Sequence, residues 1–284
     1  MKVAVVTDST AYLPREHVEA YGIRVVPLRL HWDGKTYRDG VDITPEAFYA
    51  RLRASDTIPT TSQPPMQDFL DTFRALANEG YDAVVAVLIS SGISGTVASA
   101  LAAANECRIP VRVVDTRSTS VAQGWIALEA AQLAQQGADV DEVVARAEAV
   151  RERMAIWFVV DTLKYLHKGG RIGGASRFLG AMLNIKPLLY FTPHGTIDAL
   201  ERVRTKRRAL LRMVDLAVRH AGERPVHVGI THADAADTVR ALEYELQRCL
   251  EVRAWLRAPL SPVLGAHVGP GTVGLAVYPV LDMD

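Results

Sequence analysis

The feature that most constrains the fold is a series of short apolar runs, each followed by a polar turn and a helix-forming stretch. The runs are rich in β-branched residues, which favours buried strands. They are Val3 to Val6, Ile23 to Leu30, Asp82 to Ile89 and Val111 to Val114. Helices are predicted between them, with proline in the favoured first turn at Pro14, Pro45 and Pro64. Strands that alternate with helices predict a parallel sheet covered by helices.

Three polar segments follow the ends of these strands. They are Thr7 to Thr10, Ser90 to Thr96, and Asp115 with Thr116. In a parallel α/β sheet, ligands bind outside the carboxyl ends of the strands. We therefore expect these segments to lie along one rim of the sheet and to border a binding site.

The pattern changes after about residue 150. Ile156 to Val160 and Ile185 to Thr192 are strand-like, and Thr196 to Val203 is predicted to return antiparallel after a Pro-His-Gly turn. The predicted elements that follow are a helix from Lys206 to His220, a strand from Val226 to Ile230, a helix from Asp234 to Cys249, and terminal strands. The sequence thus predicts an α/β protein of two domains with a ligand between them. An N-terminal parallel sheet flanked by helices spans residues 1–152, and a mixed α+β domain spans 153–284.

Composition excludes several classes of protein. The 284 residues suffice for two domains of roughly 150 residues each. Because 32 Lys and Arg balance 32 Asp and Glu, no overall field favours nucleic acid or an anionic membrane. Cys107 and Cys249 lie too far apart in sequence to indicate a zinc site or a disulfide scaffold. No apolar run approaches about 18 residues. We expect a cytoplasmic protein that does not span a membrane.

The segment Ser90 to Thr96, SSGISGT, lies between a predicted strand and a predicted helix. Free N–H groups at a helix start attract a phosphate or a carboxylate, although Ser91 or Ser94 could simply cap the helix. A nucleotide-binding P-loop needs Lys after its second glycine, where this chain has Thr96. A hydrolase elbow needs a second glycine at the same place. The segment therefore predicts an anion site of another kind.

Two further patterns are weaker. Gly269 to Gly274 matches the dinucleotide fingerprint, but a predicted strand follows and no room remains for the required helix, so a tight turn is the better interpretation. The histidines show no metal-binding spacing, and we expect no metal and no cofactor. His267 differs because it lies among small residues, where its ring could reach a ligand.

The segment Arg202 to Arg212 carries six positive charges in eleven residues. A solvated helix face is the ordinary interpretation. Cations at a helix start oppose the macrodipole, however, which favours a role in binding an acidic protein partner or a phosphate. Nucleic acid is not expected because interleaved aromatic residues are absent.

Taken together, the motifs resemble those of the DegV family, in order and over nearly the whole chain. The matching segments are Thr7 to Pro14, Thr61 to Pro64, Ser90 to Thr96, Val114 to Thr116, Gln123-Gly124, Leu163 to Ile172, Leu183 to Pro187, Val203 to Thr205 and His267 to Gly271. The resemblance departs at Thr116, where serine is frequent, and in the glycine-rich stretch before Leu183.

The resemblance implies a bacterial protein that binds a long-chain fatty acid and presents it to a separate fatty acid kinase, which forms an acyl phosphate for phospholipid synthesis. It implies that the carboxylate is held by Thr61, Ser62, Ser94, the adjacent Gly95, and His267. It also implies kinase docking at Arg171 and at Arg202 or Arg204. The protein itself would then be a carrier and not an enzyme.

The tail would dominate affinity, because burying about 14 methylenes at roughly 0.8 kcal/mol each contributes about 11 kcal/mol before the costs of binding. Hydroxyl donors would orient the carboxylate and leave it nucleophilic. Two alternatives stay open at this stage. Ser94, His267 and Asp8 could form the triad of an acyl hydrolase, or the scaffold could bind a small sugar or a nucleotide.

Overall fold

The computed structural model describes residues 1–181 and 185–281. Its helices are α1 (Arg15–Ala20), α2 (Pro45–Ala54), α3 (Met66–Asn78), α4 (Thr96–Ala104), α5 (Ser120–Gln135), α6 (Val140–Arg153), α7 (Lys164–Lys168), α8 (Lys206–Ala221), α9 (Ala236–Cys249) and α10 (Pro262–Val268). Its strands are β1 (Val3–Asp8), β2 (Arg24–Val26), β3 (Arg29–Trp32), β4 (Lys35–Arg38), β5 (Thr60–Ser62), β6 (Ala83–Leu88), β7 (Val111–Asp115), β8 (Ala155–Val159), β9 (Lys186–Phe191), β10 (Ile197–Val203), β11 (Val226–His232), β12 (Val252–Pro259) and β13 (Val273–Pro279). Short 3₁₀ segments cover Ser9–Ala11 and Gly173–Ala181.

The first half contains the expected parallel sheet, in the order β2-β1-β6-β7. Every residue of β1 and β6 is buried. This is why these strands are continuous apolar runs: helices cover both faces of a parallel sheet. Thr44 caps α2 by accepting a hydrogen bond from the Ala47 N–H, with Pro45 in the first turn as predicted. The predicted fold class is confirmed.

The single strand predicted over Ile23 to Leu30 is wrong. The segment forms two strands in different sheets, because Pro27 has no N–H to donate to a continuing ladder. The Leu28 N–H donates instead to Ser9 Oγ at 3.0 Å. Beyond this break, β3 lies between β4 and β5 in a small antiparallel sheet that the sequence pattern did not predict.

The second half forms a six-stranded mixed sheet in the order β10-β9-β8-β13-β11-β12. The antiparallel hairpin of β9 and β10 is present as predicted, and its turn closes through the Gly195 N–H and Thr192 carbonyl at 2.9 Å. The glycine-rich segment before β13 is a turn, with positive φ at Gly269 and Gly271. Residues 182–184 lie outside the described residues. They include the start of the Leu183 to Pro187 motif and the end of the glycine-rich stretch before it, which we expect to form part of the wall of the fatty acid tunnel.

Two hydrophobic clusters contain residues from both halves of the chain. The buried face of α5 packs on β1 and β6 and also on residues of the six-stranded sheet such as Leu256, Ala276 and Tyr278. Gly229 on β11 allows this close approach, since a Cβ there would lie 2.9 Å from the Cβ of Val121. The first strand of the six-stranded sheet begins at Ala155. The domain limit at residues 152 and 153 stays a prediction.

Candidate functional site

A cavity of about 910 Å³, measured with its open mouth, lies where the small sheet, α10, the segment before α4 and the six-stranded sheet meet. Most of its wall is apolar and includes Leu28, Ile89, Phe158, Leu264 and Leu275. Polar side chains are concentrated in a few places, which suits an elongated apolar ligand with a polar group.

The SSGISGT segment borders one part of the cavity. Ser90 donates to the Gly195 carbonyl at 2.7 Å, and Ser91 Oγ donates to Asp115 Oδ2 at 2.5 Å, so both serines fix the segment in place. Ser94 lies on the cavity wall, where its Oγ is 2.8 Å from Thr96 Oγ1. The N-cap of α4 is Gly95, which has no capping side chain. Ser94 nevertheless accepts a hydrogen bond from the Thr96 N–H, the first of the helix, at 3.3 Å, so its hydroxyl serves the helix start as well as the cavity wall.

Thr61 and Ser62 belong to β5. They pair with Leu30 and Arg29 of β3. Both residues line the cavity. Thr61 Oγ1 is 2.7 Å from His267 Nε2, while Ser62 Oγ is 2.9 Å from the Nε2 of His31. The strand thus places the Thr61 hydroxyl beside the ring of His267, while the Ser62 hydroxyl contacts His31.

His267 lies in the last turn of α10, a helix that the glycines of this segment concealed. Its Nδ1 is buried without a hydrogen-bond partner among the described residues. Burial, helped by the positive charge of Arg171, lowers the pKa of His267 to about 4. The imidazole is therefore neutral near pH 7. When Nε2 carries the proton it donates to Thr61, and the Thr61 hydroxyl hydrogen is then available to a ligand.

Gly169 sets the position of the His267 ring from the other side. It follows α7 in an ordinary helical conformation, with φ of −77°. A Cβ added there would overlap His267 Nδ1. The glycine is thus required by the close approach of the ring and not by its own backbone conformation.

The sequence reasoning missed a second support, the buried carboxyl of Asp39. Its Oδ2 accepts from Ser9 Oγ at 2.7 Å, and its Oδ1 accepts from the Val263 N–H at the start of α10 at 3.3 Å. Burial raises the pKa of Asp39 to about 7, against the opposing effect of these hydrogen bonds. Asp39 connects the first half of the chain to the helix that carries His267. No local signal marked it.

The hydrolase alternative required Asp8 to orient His267, and the hydrogen bonds of Asp8 go elsewhere. This buried carboxylate accepts from the Ile89 N–H at 2.8 Å, from Gln123 Nε2 at 2.9 Å, and from Thr10. Burial raises its pKa. Asp8 anchors the end of β6, directly before the SSGISGT segment. The described residues therefore do not assemble a triad of Ser94, His267 and Asp8.

Arg171, predicted as a docking residue, is exposed but also lines the cavity. Its Nε donates to the Ile93 carbonyl at 3.2 Å, and its Nη1 donates to the Gly169 carbonyl at 2.8 Å. It connects the SSGISGT segment to the segment after α7. A second, more open cavity of about 650 Å³ shares Ile93, Ser94 and Arg171 with the first. We call this second cavity the vestibule.

Arg202 and Arg204, the other predicted docking residues, lie on β10 and just after it, and both are exposed. The guanidinium of Arg202 stacks 4.6 Å from the ring centroid of Phe178, and its Nη2 donates to the Arg177 carbonyl at 3.3 Å. Within the described residues, Arg204 has no recorded ion pair or hydrogen bond. β10 is an edge strand of the six-stranded sheet, which leaves this basic surface open.

A family model described as "Uncharacterised protein, DegV family" matches residues 2–280. This chain belongs to the DegV family. It is 40% identical to a DegV domain-containing protein of Streptomyces coelicolor, over 97% of this chain and 98% of that one. It is 34% identical to Protein DegV of Bacillus subtilis, again over 97% and 98%.

Solved structures agree with this DegV-family assignment. A DegV family protein from Thermus thermophilus, described by its fatty acid binding, superposes with a TM-score of 0.93 at 37% identity, over 99% of this chain and 100% of that one. DegV of Bacillus subtilis, described as a fatty acid binding protein, gives 0.90 at 32% identity with the same coverage. A stearic-acid-binding protein from Eubacterium ventriosum gives 0.88 at 25% identity, with 98% of each chain covered.

Two further findings concern membrane spanning and metal binding. Within residues 1–181 and 185–281, none of the helices combines the length and apolar character that a membrane span needs. The same residues contain no group of three His, Cys, Asp or Glu side chains arranged to hold a metal ion.

Proposed function

We propose that this chain binds a long-chain fatty acid in the cavity and holds its carboxylate with Thr61, Ser62, Ser94, Gly95 and His267. We call these five residues the clamp. The observation that carries the proposal is a largely apolar cavity whose wall includes Thr61, Ser62, Ser94 and His267, with Thr61 in contact with His267. The relatives described as fatty acid binding proteins support the same ligand.

Neutral donors suit a carboxylate that must later react. Each hydrogen bond to a carboxylate contributes roughly 1.5–3 kcal/mol, yet a hydroxyl leaves the anion with its full charge. His267 stays neutral because burial lowers its pKa to about 4. Two of the five N–H groups of Arg171 are occupied by the Ile93 and Gly169 carbonyls, which hold its guanidinium against the protein backbone.

The experiment that tests binding uses Thr61→Val and Ser94→Ala, with displacement of a fluorescent fatty acid as the readout. Each variant removes a hydroxyl and little volume, so palmitate affinity should fall about 10- to 150-fold. Hexadecanol affinity should change little. Ser99→Ala is the matched control. Ser99 lies on α4, about one turn after its first residue Thr96, and does not line the cavity. Unchanged palmitate binding in both variants would refute the clamp.

The contribution of the tail is tested with saturated acids of increasing length. Each methylene buried should strengthen binding about fourfold, at roughly 0.8 kcal/mol, until the cavity is full. An affinity that does not depend on chain length would contradict binding in this cavity and would favour the small-ligand alternative.

We further propose that a separate fatty acid kinase reaches the carboxylate through the vestibule, with Arg171, Arg202 and Arg204 contacting the kinase. The support is geometric: Ser94 and Arg171 line both cavities, and Arg202 and Arg204 are exposed. The phosphoryl group would be transferred to the carboxylate to form an acyl phosphate. In this proposal the chain is a carrier, and the kinase performs the chemistry.

Docking is tested by measuring kinase turnover and retained lipid in the same samples. Arg202→Ala and Arg204→Ala should slow phosphorylation and leave lipid bound. Arg253→Ala is the matched control, since Arg253 is an exposed arginine on β12, the opposite edge strand of the same sheet. Arg171→Ala does not separate docking from lipid binding, because Arg171 also lines the cavity. Loss of lipid from the Arg202 and Arg204 variants would contradict the docking assignment.

A further inference from the structure

Four side chains outside the clamp have buried hydroxyls without a hydrogen-bond partner among the described residues. Three of them, Thr119, Ser120 and Thr231, line the same cavity, and the fourth, Ser118, does not. Ser120 is 5% exposed and Thr231 is 4% exposed. Buried hydroxyls in folded proteins nearly always have a partner. Three unpaired hydroxyls along one apolar cavity therefore indicate a missing polar ligand atom.

The three side chains come from two elements that face each other. Thr119 and Ser120 form the start of α5, and Thr231 lies on β11. Gly229, two residues before Thr231 and hence on the same face of the strand, contacts Val121 of that first helical turn. On the neighbouring strand β13, a Cβ at Gly274 would lie 2.9 Å from Thr231 Cγ2, which places the Thr231 side chain over this face of the sheet.

The start of α5 adds backbone donors to these hydroxyls. Its N-cap residue, Thr119, makes no side-chain capping hydrogen bond. The first N–H groups of a helix have no partner within the helix, and they attract an oxygen atom. The hydroxyls of Ser120 and Thr231 can each donate or accept. This combination suits one neutral oxygen that can both give and receive a hydrogen bond.

Other cavity hydroxyls differ, because they already have partners. Thr272 donates to the carbonyls of Val268 and Gly269, at 3.1 and 3.0 Å. The surroundings of the unpaired group are apolar and include Val121, Ala122 and Ile156. Among the described lining residues, the charged side chain is Arg171, which lies with the clamp. An uncharged oxygen therefore fits better than a second carboxylate.

We propose that Thr119, Ser120 and Thr231 form a second polar site that binds a hydroxyl group carried on the acyl chain, so that the protein takes a hydroxylated fatty acid. The proposal rests on the proposed fatty acid binding and adds the substrate class. The clamp orients the carboxylate, and the second site selects chains with a hydroxyl at the matching carbon.

The test compares stearate with a series of hydroxystearates whose hydroxyl lies at successive positions, in the full-length protein. One position should bind about fivefold more tightly than stearate, the gain expected from pairing buried hydroxyls. The isosteric Thr231→Val variant should reduce this ratio to about one and leave stearate bound. Thr119→Val should reduce it in the same direction.

Thr272→Val is the matched control, because it removes a cavity hydroxyl that already has partners, and its ratio should equal that of the unaltered protein. If no hydroxystearate binds better than stearate, the three hydroxyls hold buried water and the proposal is wrong. A preference that survives both Thr231→Val and Thr119→Val overturns it equally. Failure of stearate itself to bind would instead refute the proposed function, and this proposal with it.

Discussion

Gly169→Ala would place one methyl group against the ring that positions the clamp. Gly169 has φ of −77°, so alanine can adopt its backbone conformation without strain. The added Cβ would overlap Nδ1 of His267. Either the ring moves and the 2.7 Å contact between its Nε2 and Thr61 Oγ1 is lost, or the ring stays and the folded protein is strained. The substitution deletes no donor or acceptor, so its effect reports the position of His267 alone.

The expected magnitude follows from overpacking and from the lost contact. Inserting a methyl group into a packed site costs roughly 1–3 kcal/mol. If the ring shifts to relieve this overlap, the cost appears as weaker ligand binding, about 5- to 150-fold for palmitate. If the ring stays, it appears as a lower free energy of unfolding. Palmitate displacement and thermal unfolding should therefore be measured on the same preparation.

Two companion variants complete this experiment. Gly180→Ala is the matched control, because a Cβ at Gly180 would meet no atom of the described residues within 4 Å. The double variant Gly169→Ala with His267→Ala should bind palmitate no more weakly than His267→Ala alone, since removing the ring makes room for the methyl group. Additive losses in the double variant, or palmitate binding and stability both unchanged in Gly169→Ala, would refute the assigned position of His267.

Three further predictions concern stability. Burial raises the pKa of Asp39 to about 7, so the folded protein holds a proton there that the unfolded chain releases near its ordinary pKa of 3.8. The contribution of Asp39 to the free energy of unfolding therefore falls by about 4 kcal/mol as pH rises from about 4 to 7. Asp39→Asn should flatten the pH dependence of urea unfolding. Gly92→Ala would place a Cβ 2.7 Å from the Gly195 carbonyl oxygen, which should lower the unfolding temperature by several degrees in calorimetry. Thr205 caps α8 by accepting from the Arg208 N–H, and Thr205→Ala should cost about 1 kcal/mol in urea unfolding.

The parallel sheet was predictable because its signals are local. An apolar run with both faces buried, a polar turn and a helix start occur together in sequence, and they occur together in space. The sequence did not predict α10, because the features that stabilise this helix are contacts with residues far away in the chain. Gly265 weakens its helical pattern, yet a Cβ there would lie 2.6 Å from Tyr49 Oη, so the glycine allows α10 to pack tightly on α2. Tertiary packing outweighs helix propensity at this position.

The clamp could not be derived from local patterns, because Thr61 and His267 are 206 residues apart in the chain and touch only in the folded protein. The family resemblance supplied the residues, and the structure supplies the reason they meet. α10 is tied to the first half of the chain by Tyr49 Oη, which donates to the Leu260 carbonyl at 3.2 Å, and by Asp39, which accepts from the Val263 N–H. Both ties are buried. If the clamp binds a carboxylate as proposed, any change that loosens these ties should weaken carboxylate binding before it affects binding of the tail, even though neither side chain lines the cavity.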